Sequence, residues 1–82
     1  MREDSGDIEA AASAIARYLS QRPQASDTAR GIAEVWLHQR YALATVRTAL
    51  ARLEVRGKVR ARRLSGGGEG SDLLYSAAND RP

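Results

Sequence analysis

The apolar residues of this 82-residue chain change their spacing at Gly57, and this change limits the possible fold more than any other feature. Before Gly57, apolar residues recur three or four positions apart in three separate segments, which is the period of an amphipathic helix. Their positions are Ile8, Ala12, Ile15 and Leu19, then Ala29, Ile32, Ala33 and Trp36, then Val46, Ala49, Leu50 and Leu53. We therefore expect helices near residues 8–21, 27–38 and 43–56, with Gly57 ending the third in a left-handed conformation.

After Gly57 the apolar period is two residues, as in a strand with one buried face. Val59 and Ala61 alternate with basic residues, a glycine-rich segment follows at 65–71, and a short apolar run at 73–75 can return as a second strand. We expect an antiparallel hairpin with strands near 58–64 and 72–76. The predicted fold class is mainly α with a small antiparallel β-hairpin (α+β). The predicted core contains Ile15, Leu19, Ile32, Trp36, Val46, Leu50, Leu53, Val59 and Tyr75.

The length of the chain allows one hydrophobic core and therefore one domain, which we place at residues 8–76. Residues 1–7 and 77–82 are polar, and we expect a disordered lead and a disordered tail there. We also expect the glycine-rich tip of the hairpin to be mobile. This tip lacks the Gly-Lys-Ser/Thr ending of a nucleotide-binding loop and leads into a strand instead of a helix, so we do not expect nucleotide binding.

The composition argues against several classes of protein. There is no cysteine and a single histidine, His38, so a disulfide framework and a thiolate zinc site are excluded. The single histidine is not accompanied by a group of carboxylates or thiols that could form a catalytic site with it. We expect no enzyme activity, no catalytic residue, no metal and no cofactor. Because no apolar run approaches the ~18 residues of a membrane span and no positively charged start leads into a hydrophobic stretch, we expect a cytoplasmic protein that does not bind a membrane. We expect no small-molecule effector, because a single domain leaves no separate domain for ligand sensing.

Positive charge is concentrated in one third of the chain. The formal net charge is +3, but residues 40–63 contain eight basic residues and one acidic residue, whereas residues 1–39 and 64–82 are each net negative. Seven of the eight bases are arginine, whose planar guanidinium suits bidentate contacts with phosphate and guanine. An ordinary solvated basic face is the alternative interpretation of such a segment taken alone.

The predicted third helix has an outward face made of small and basic residues. With its apolar residues turned to the core, a rotation of 100° per residue places Ala44, Thr48, Ala51 and Arg52 outward, with Thr45 and Arg47 on the flanks. The major groove of DNA, about 12 Å wide, admits one helix if that helix carries neither bulky apolar nor acidic side chains on the entering face. This face therefore favours groove binding over a merely soluble amphipathic helix.

Two stretches of the chain resemble the winged helix-turn-helix regulators of bacteria. They are TARGIAE at 28–34 and TVRTALARLEVRGKV at 45–59, and the resemblance extends over residues 8–76. It implies a three-helix core plus a wing, with the third helix as recognition helix and the hairpin loop as the wing. It further implies a DNA-binding transcriptional regulator whose partner is double-stranded DNA. The candidate DNA-binding residues are Arg40, Thr45, Arg47, Thr48, Arg52, Arg60, Arg62 and Arg63.

These residues are expected to play different parts. Arg47 and Thr48 lie in the first half of the third helix, which recognition helices commonly present to base edges. Arg62 belongs to the wing and Arg40 to the turn before the helix, where contacts with the DNA backbone are expected.

The sequence departs from the resembled family between Ile32 and Val46, where the link is longer than usual. Either the turn at 37–42 is extended or the second helix gains a turn. Leu43, at a position that is often polar, either packs into the enlarged turn or offers a methyl contact to thymine or to a partner. A weak homodimer through the first helix and assembly only on DNA are both open. A second function is also open: the domain could be a protein–protein interaction module, because winged helices serve in that role as well.

Overall fold

In a computed structural model that describes residues 5–63 and 73–78, the chain forms three helical segments and a three-stranded antiparallel sheet. The elements are α1 (Ser5–Gln21), β1 (Ser26–Thr28), α2 (an α-helical turn Ala29–Gly31 continued by a π-helical segment Ile32–Trp36), α3 (Leu43–Val55), β2 (Val59–Arg63) and β3 (Leu73–Ala77). The predicted α+β class is confirmed, and so is the antiparallel pairing of the two hairpin strands, in which Ala61 lies opposite Tyr75.

Two elements extend beyond their predicted ends. Helix α1 begins at Ser5 instead of Ile8, so residues 5–7, expected in a disordered lead, are helical. Strand β3 extends to Ala77, which was expected in the tail. Residues 5–7 are polar and carry no apolar period, so the pattern gave no sign of helix there. The glycine-rich segment 65–71 and residues 79–82 lie outside the described residues.

Strand β1 was not predicted, and it makes β3 the central strand of the sheet. Asp27 of β1 pairs with Tyr75 of β3. Residues 27 and 28 were expected at the start of the second helix and belong to this strand instead. Thr28 caps the second helix, because its Oγ1 accepts a hydrogen bond from the backbone N–H of Gly31 at 3.1 Å. A single residue thus ends the strand and begins the helix.

The core lies where the three helices meet. Ile15 of α1, Ile32 of α2, and Val46 and Leu50 of α3 are the largest fully buried side chains. Eight of the nine predicted core residues are buried, and the ninth, Tyr75, is half-buried and packs against them. The buried apolar residues are Ile8, Ala11, Ala12, Ile15, Leu19, Ile32, Ala33, Trp36, Leu37, Val46, Ala49, Leu50, Leu53 and Val59.

Trp36 is a packing residue, as expected from its position on α2. It is buried and stacks on Tyr18 of α1, with ring centroids 4.3 Å apart and planes 9° from parallel. The guanidinium of Arg22 lies over the ring of Tyr18, 4.8 Å from the centroid of that ring. This stack joins α1 to α2.

The long link between α2 and α3 is an extended turn. Helix α2 widens into a π-helical segment, in which the N–H of Leu37 donates to the carbonyl of Ile32 at 3.0 Å, and then ends at Trp36. His38 and Gln39 follow with φ of 54° and 62°, in the left-handed region, and turn the chain toward α3. The helix therefore does not gain a turn. Leu37 fills the core side of this link, and Leu43 is half-buried against the core.

None of the helices in the described ranges is both long and apolar enough to cross a membrane.

Gly57 closes α3 in the left-handed conformation expected from the sequence, with φ of 77°. The N–H of Lys58 donates to the carbonyl of Leu53 at 2.8 Å and the N–H of Gly57 to that of Glu54 at 3.0 Å. This pair of bonds is the Schellman arrangement. It turns the chain from α3 directly into β2, so it also sets where the hairpin begins.

We expect the Gly57→Ala variant to lower the free energy of unfolding by about 1–2 kcal/mol, because a side chain destabilises the left-handed conformation by that amount. An added Cβ would meet no atom within 4 Å, so the effect is one of backbone conformation alone. Urea denaturation of the two proteins measures it. Gly57→Asn is the matched control and should cost less, since asparagine tolerates this conformation. Equal losses for Ala and Asn would contradict the explanation.

Candidate nucleic-acid interface

The surface of α3 opposite the core carries a row of short side chains. Ala44, Thr48, Ala51 and Val55 are spaced at i, i+4, i+7 and i+11, which places them on one line of the helix, and we call this row the outer stripe. Ala44 and Ala51 are exposed and Thr48 is half-buried. The Oγ1 of Thr48 donates to the carbonyl of Ala44 at 3.1 Å. The stripe is therefore smooth and largely apolar.

Val55 extends the outer stripe and was missed in the sequence analysis. It is 87% exposed, the more exposed of the two large apolar residues identified on the surface of the described residues. Its spacing of seven residues from Thr48 could have placed it there. Together with Thr48 and Ala51, Val55 lines a shallow open depression, whose edge is formed by Arg52 and Arg56.

One flank of the outer stripe faces α1 and carries an ion-paired cluster. Nη1 of Arg52 donates to Oε2 of Glu9 at 2.8 Å, and Nη2 of Arg56 donates to the same oxygen at 3.1 Å and to Oε1 at 3.4 Å. The hydrogen bonds from Arg52, and after it Arg56, hold the pKa of the Glu9 carboxyl below its ordinary value. Each of the three side chains is a little under half exposed. Arg52 was a candidate site residue and Arg56 was not, although i+4 spacing puts both on one face.

The other flank of the outer stripe faces the sheet. Burial raises the pKa of the Tyr75 hydroxyl in β3, the negative charge of Glu54 raises it further, and the positive charge of Arg47 lowers it. Glu54 and Arg47 are seven residues apart and so share one flank of α3, the flank opposite the one that carries Arg52. Arg47 is exposed. It therefore lies beside the outer stripe, in a flanking position as the helical period predicted.

The basic residues of β2 divide between the two faces of the sheet. Successive side chains of a strand point to opposite faces, so Arg60 and Arg62 share the face away from the core. Val59 and Ala61 share the face with Tyr75, and Arg63 follows them at the end of the strand nearest the glycine-rich segment. Arg60, Arg62 and Arg63 are all exposed. The glycine-rich segment 65–71 lies outside the described residues, so its predicted mobility and DNA contacts stay predictions.

Two further candidates lie near the N-terminal end of α3. Arg40 is exposed in the turn, where its backbone N–H donates to the carbonyl of Leu37 at 3.0 Å. Thr45 is half-buried in the first turn of the helix, seven residues before Arg52 and hence on the same flank. The candidates thus lie in four places: Arg40 before the start of α3, Arg47 on one flank of the helix, Thr45 and Arg52 on the α1 side, and Arg60, Arg62 and Arg63 on β2.

No protein-family model, no curated protein and no solved structure matches this chain.

We expect the pKa of Glu9 to lie below 4.5 in the folded protein, because two guanidinium groups stabilise its charged form. A carboxyl whose pKa is depressed on folding contributes stability above its unfolded pKa, and this contribution is lost as pH falls through the folded value. NMR titration of the side-chain carboxyl carbon measures the pKa directly. Arg52→Gln should raise it more than Arg56→Gln, since Arg52 makes the shorter hydrogen bond.

Arg17→Gln is the control for this titration, because it removes the same charge as Arg52→Gln. Arg17 is an exposed residue of the same helix as Glu9 and lies two turns away from it. This variant should leave the Glu9 pKa almost unchanged. If Arg17→Gln and Arg52→Gln raised the pKa equally, the shift would come from the general field of the protein and not from the ion pair.

Proposed function

We propose that this chain is a winged helix-turn-helix domain that binds double-stranded DNA, with α3 in the major groove. One observation carries the proposal: the outer stripe of short side chains on α3 is bordered by guanidinium groups on both flanks. Arg47 stands on the flank toward the sheet, and Arg52 and Arg56 on the flank toward α1.

This arrangement matches the shape and charge of a groove. A helix whose leading edge is Ala44, Thr48 and Ala51 can approach the base edges closely, and its small apolar surface suits the methyl group of thymine. The two rims of the groove are lined by phosphates, and arginines on both flanks of one helix lie on the sides where those rims would be. Thr48 and Arg47, in the first half of α3, remain the residues proposed to face the bases.

The arrangement of the elements supports the same proposal. Three helices precede a hairpin whose outer face carries Arg60 and Arg62, and the turn at Gly57 places that hairpin directly after α3. In the proposed complex the hairpin is the wing, and its arginines contact the DNA backbone or the adjacent minor groove. A domain of this kind would act as a small transcriptional regulator, joined by a second copy on DNA or through the exposed small residues of α1, such as Ala10.

A second candidate function, docking on another protein, is favoured by Val55. An 87% exposed β-branched residue at the end of an apolar row is what a partner's apolar groove could cover. In that case the arginines around the outer stripe would contribute only to the solubility of the protein. The concentration of arginine on both flanks makes DNA the better candidate.

We expect the protein to bind a random-sequence duplex at low salt, with the logarithm of the association constant falling linearly with the logarithm of salt concentration. Ala51→Glu should weaken binding at least about ten-fold, because it places a negative charge against the base edges. Fluorescence anisotropy with a labelled duplex measures both. Gln24→Glu, which adds the same negative charge to an exposed residue of the link between α1 and β1, is the matched control and should weaken binding much less.

The proposal would be overturned by the absence of duplex binding at about 50 mM salt, where the Debye length of ~14 Å leaves phosphate contacts near their strongest. Equal losses for Ala51→Glu and Gln24→Glu would show that DNA is held without the outer stripe, and α3 would then not be the groove-binding element.

A further inference from the structure

The ion-paired cluster on the α1 flank has the donor arrangement of an anion site. Two guanidinium groups, from Arg52 and Arg56, converge on one oxygen of Glu9 at 2.8 Å and 3.1 Å. Arg52 lies in the last turn of α3 and Arg56 is the residue that caps this helix, whereas Glu9 is 43 positions away from Arg52 in the chain and belongs to α1. The acceptor is therefore supplied by a different element from the one that carries the donors.

A phosphate oxygen could take the place of that carboxylate oxygen. Both carry negative charge and accept charge-assisted hydrogen bonds from arginine at about 2.7–2.9 Å. The two arginines form the edge of the depression beside the outer stripe. With α3 in the major groove, this edge is where the phosphates of one strand would lie.

We propose that Arg52 and Arg56 form a binding site for one backbone phosphate of DNA, and that the carboxylate of Glu9 occupies this site in the unbound protein until the phosphate displaces it. The proposal rests on the DNA-binding function proposed above and deepens it in two ways. It adds Arg56 to the interface, and it makes Glu9 an internal competitor of the ligand.

The displacement is feasible because the ion pairs are exposed. All three side chains are a little over 40% exposed, and the stability of such pairs is small because water and salt screen them. The competitor lowers affinity for every DNA sequence alike, since a phosphate contact carries no sequence information. Readout by the outer stripe then contributes a larger share of the binding that remains.

The test is a double-mutant cycle measured by fluorescence anisotropy with a labelled random-sequence duplex of about 20 base pairs. Glu9→Gln should tighten binding roughly two- to five-fold, the range that exposed ion pairs set. It should also make the slope of log K against log salt steeper, by about the amount that one phosphate contact contributes. In a background carrying both Arg52→Gln and Arg56→Gln, the same substitution should have little effect, because the groups for which Glu9 competes are gone.

Glu54→Gln provides the matched control, since it removes the same charge from the sheet-side flank of α3. It should tighten binding less than Glu9→Gln, and by the same factor in both backgrounds. Thermal melting followed by circular dichroism establishes that each variant is folded, which their exposed positions lead us to expect.

The outcomes separate this inference from the proposed function. If the parent protein binds DNA but Glu9→Gln has the same effect in both backgrounds, or weakens binding, the phosphate site is overturned and DNA binding stands. If neither the parent protein nor Glu9→Gln binds the duplex at low salt, both proposals are overturned.

Discussion

Four side chains that meet in the centre of the domain, Ile15, Ile32, Val46 and Leu50, fix the rotation of α3 about its own axis. Each is fully buried, and together they join all three helices. Turning α3 by a single residue, 100°, would bring exposed side chains into this contact and take Val46 or Leu50 out of it. The position of the outer stripe, and of the arginines on its two flanks, follows from that packing.

The surroundings of α3 differ on its two sides, and the charges follow this difference. On the flank opposite Glu9, the charges of Glu54 and Arg47 shift the pKa of the half-buried Tyr75 of the central strand in opposite directions. Toward α1, Glu9 holds two guanidinium groups. The surface that we propose for DNA therefore carries its own counter-charges. These order the arginines in the unbound protein and reduce its attraction to phosphate.

Much of this architecture could be predicted from the residues. Helices α1 and α3, the hairpin strands and the end of α3 at Gly57 each have a strong local signal, either apolar period or a glycine that the turn requires. Strand β1 has none, since three mostly polar residues become a strand only by pairing with β3. The π-helical widening of α2 was equally hidden, because the apolar positions Ala29, Ile32, Ala33 and Trp36 have the ordinary α-helical spacing.

The sequence by itself determined which face of α3 is apolar and how much arginine surrounds the opposite face, because helical period and charge are local properties of the chain. Only the tertiary structure decided which arginines have partners. Glu9 meets Arg52 and Arg56 because the packing of α1 against α3 closes a gap of more than forty residues. Contacts of this kind depend on the relative placement of two helices, which no pattern within either helix contains.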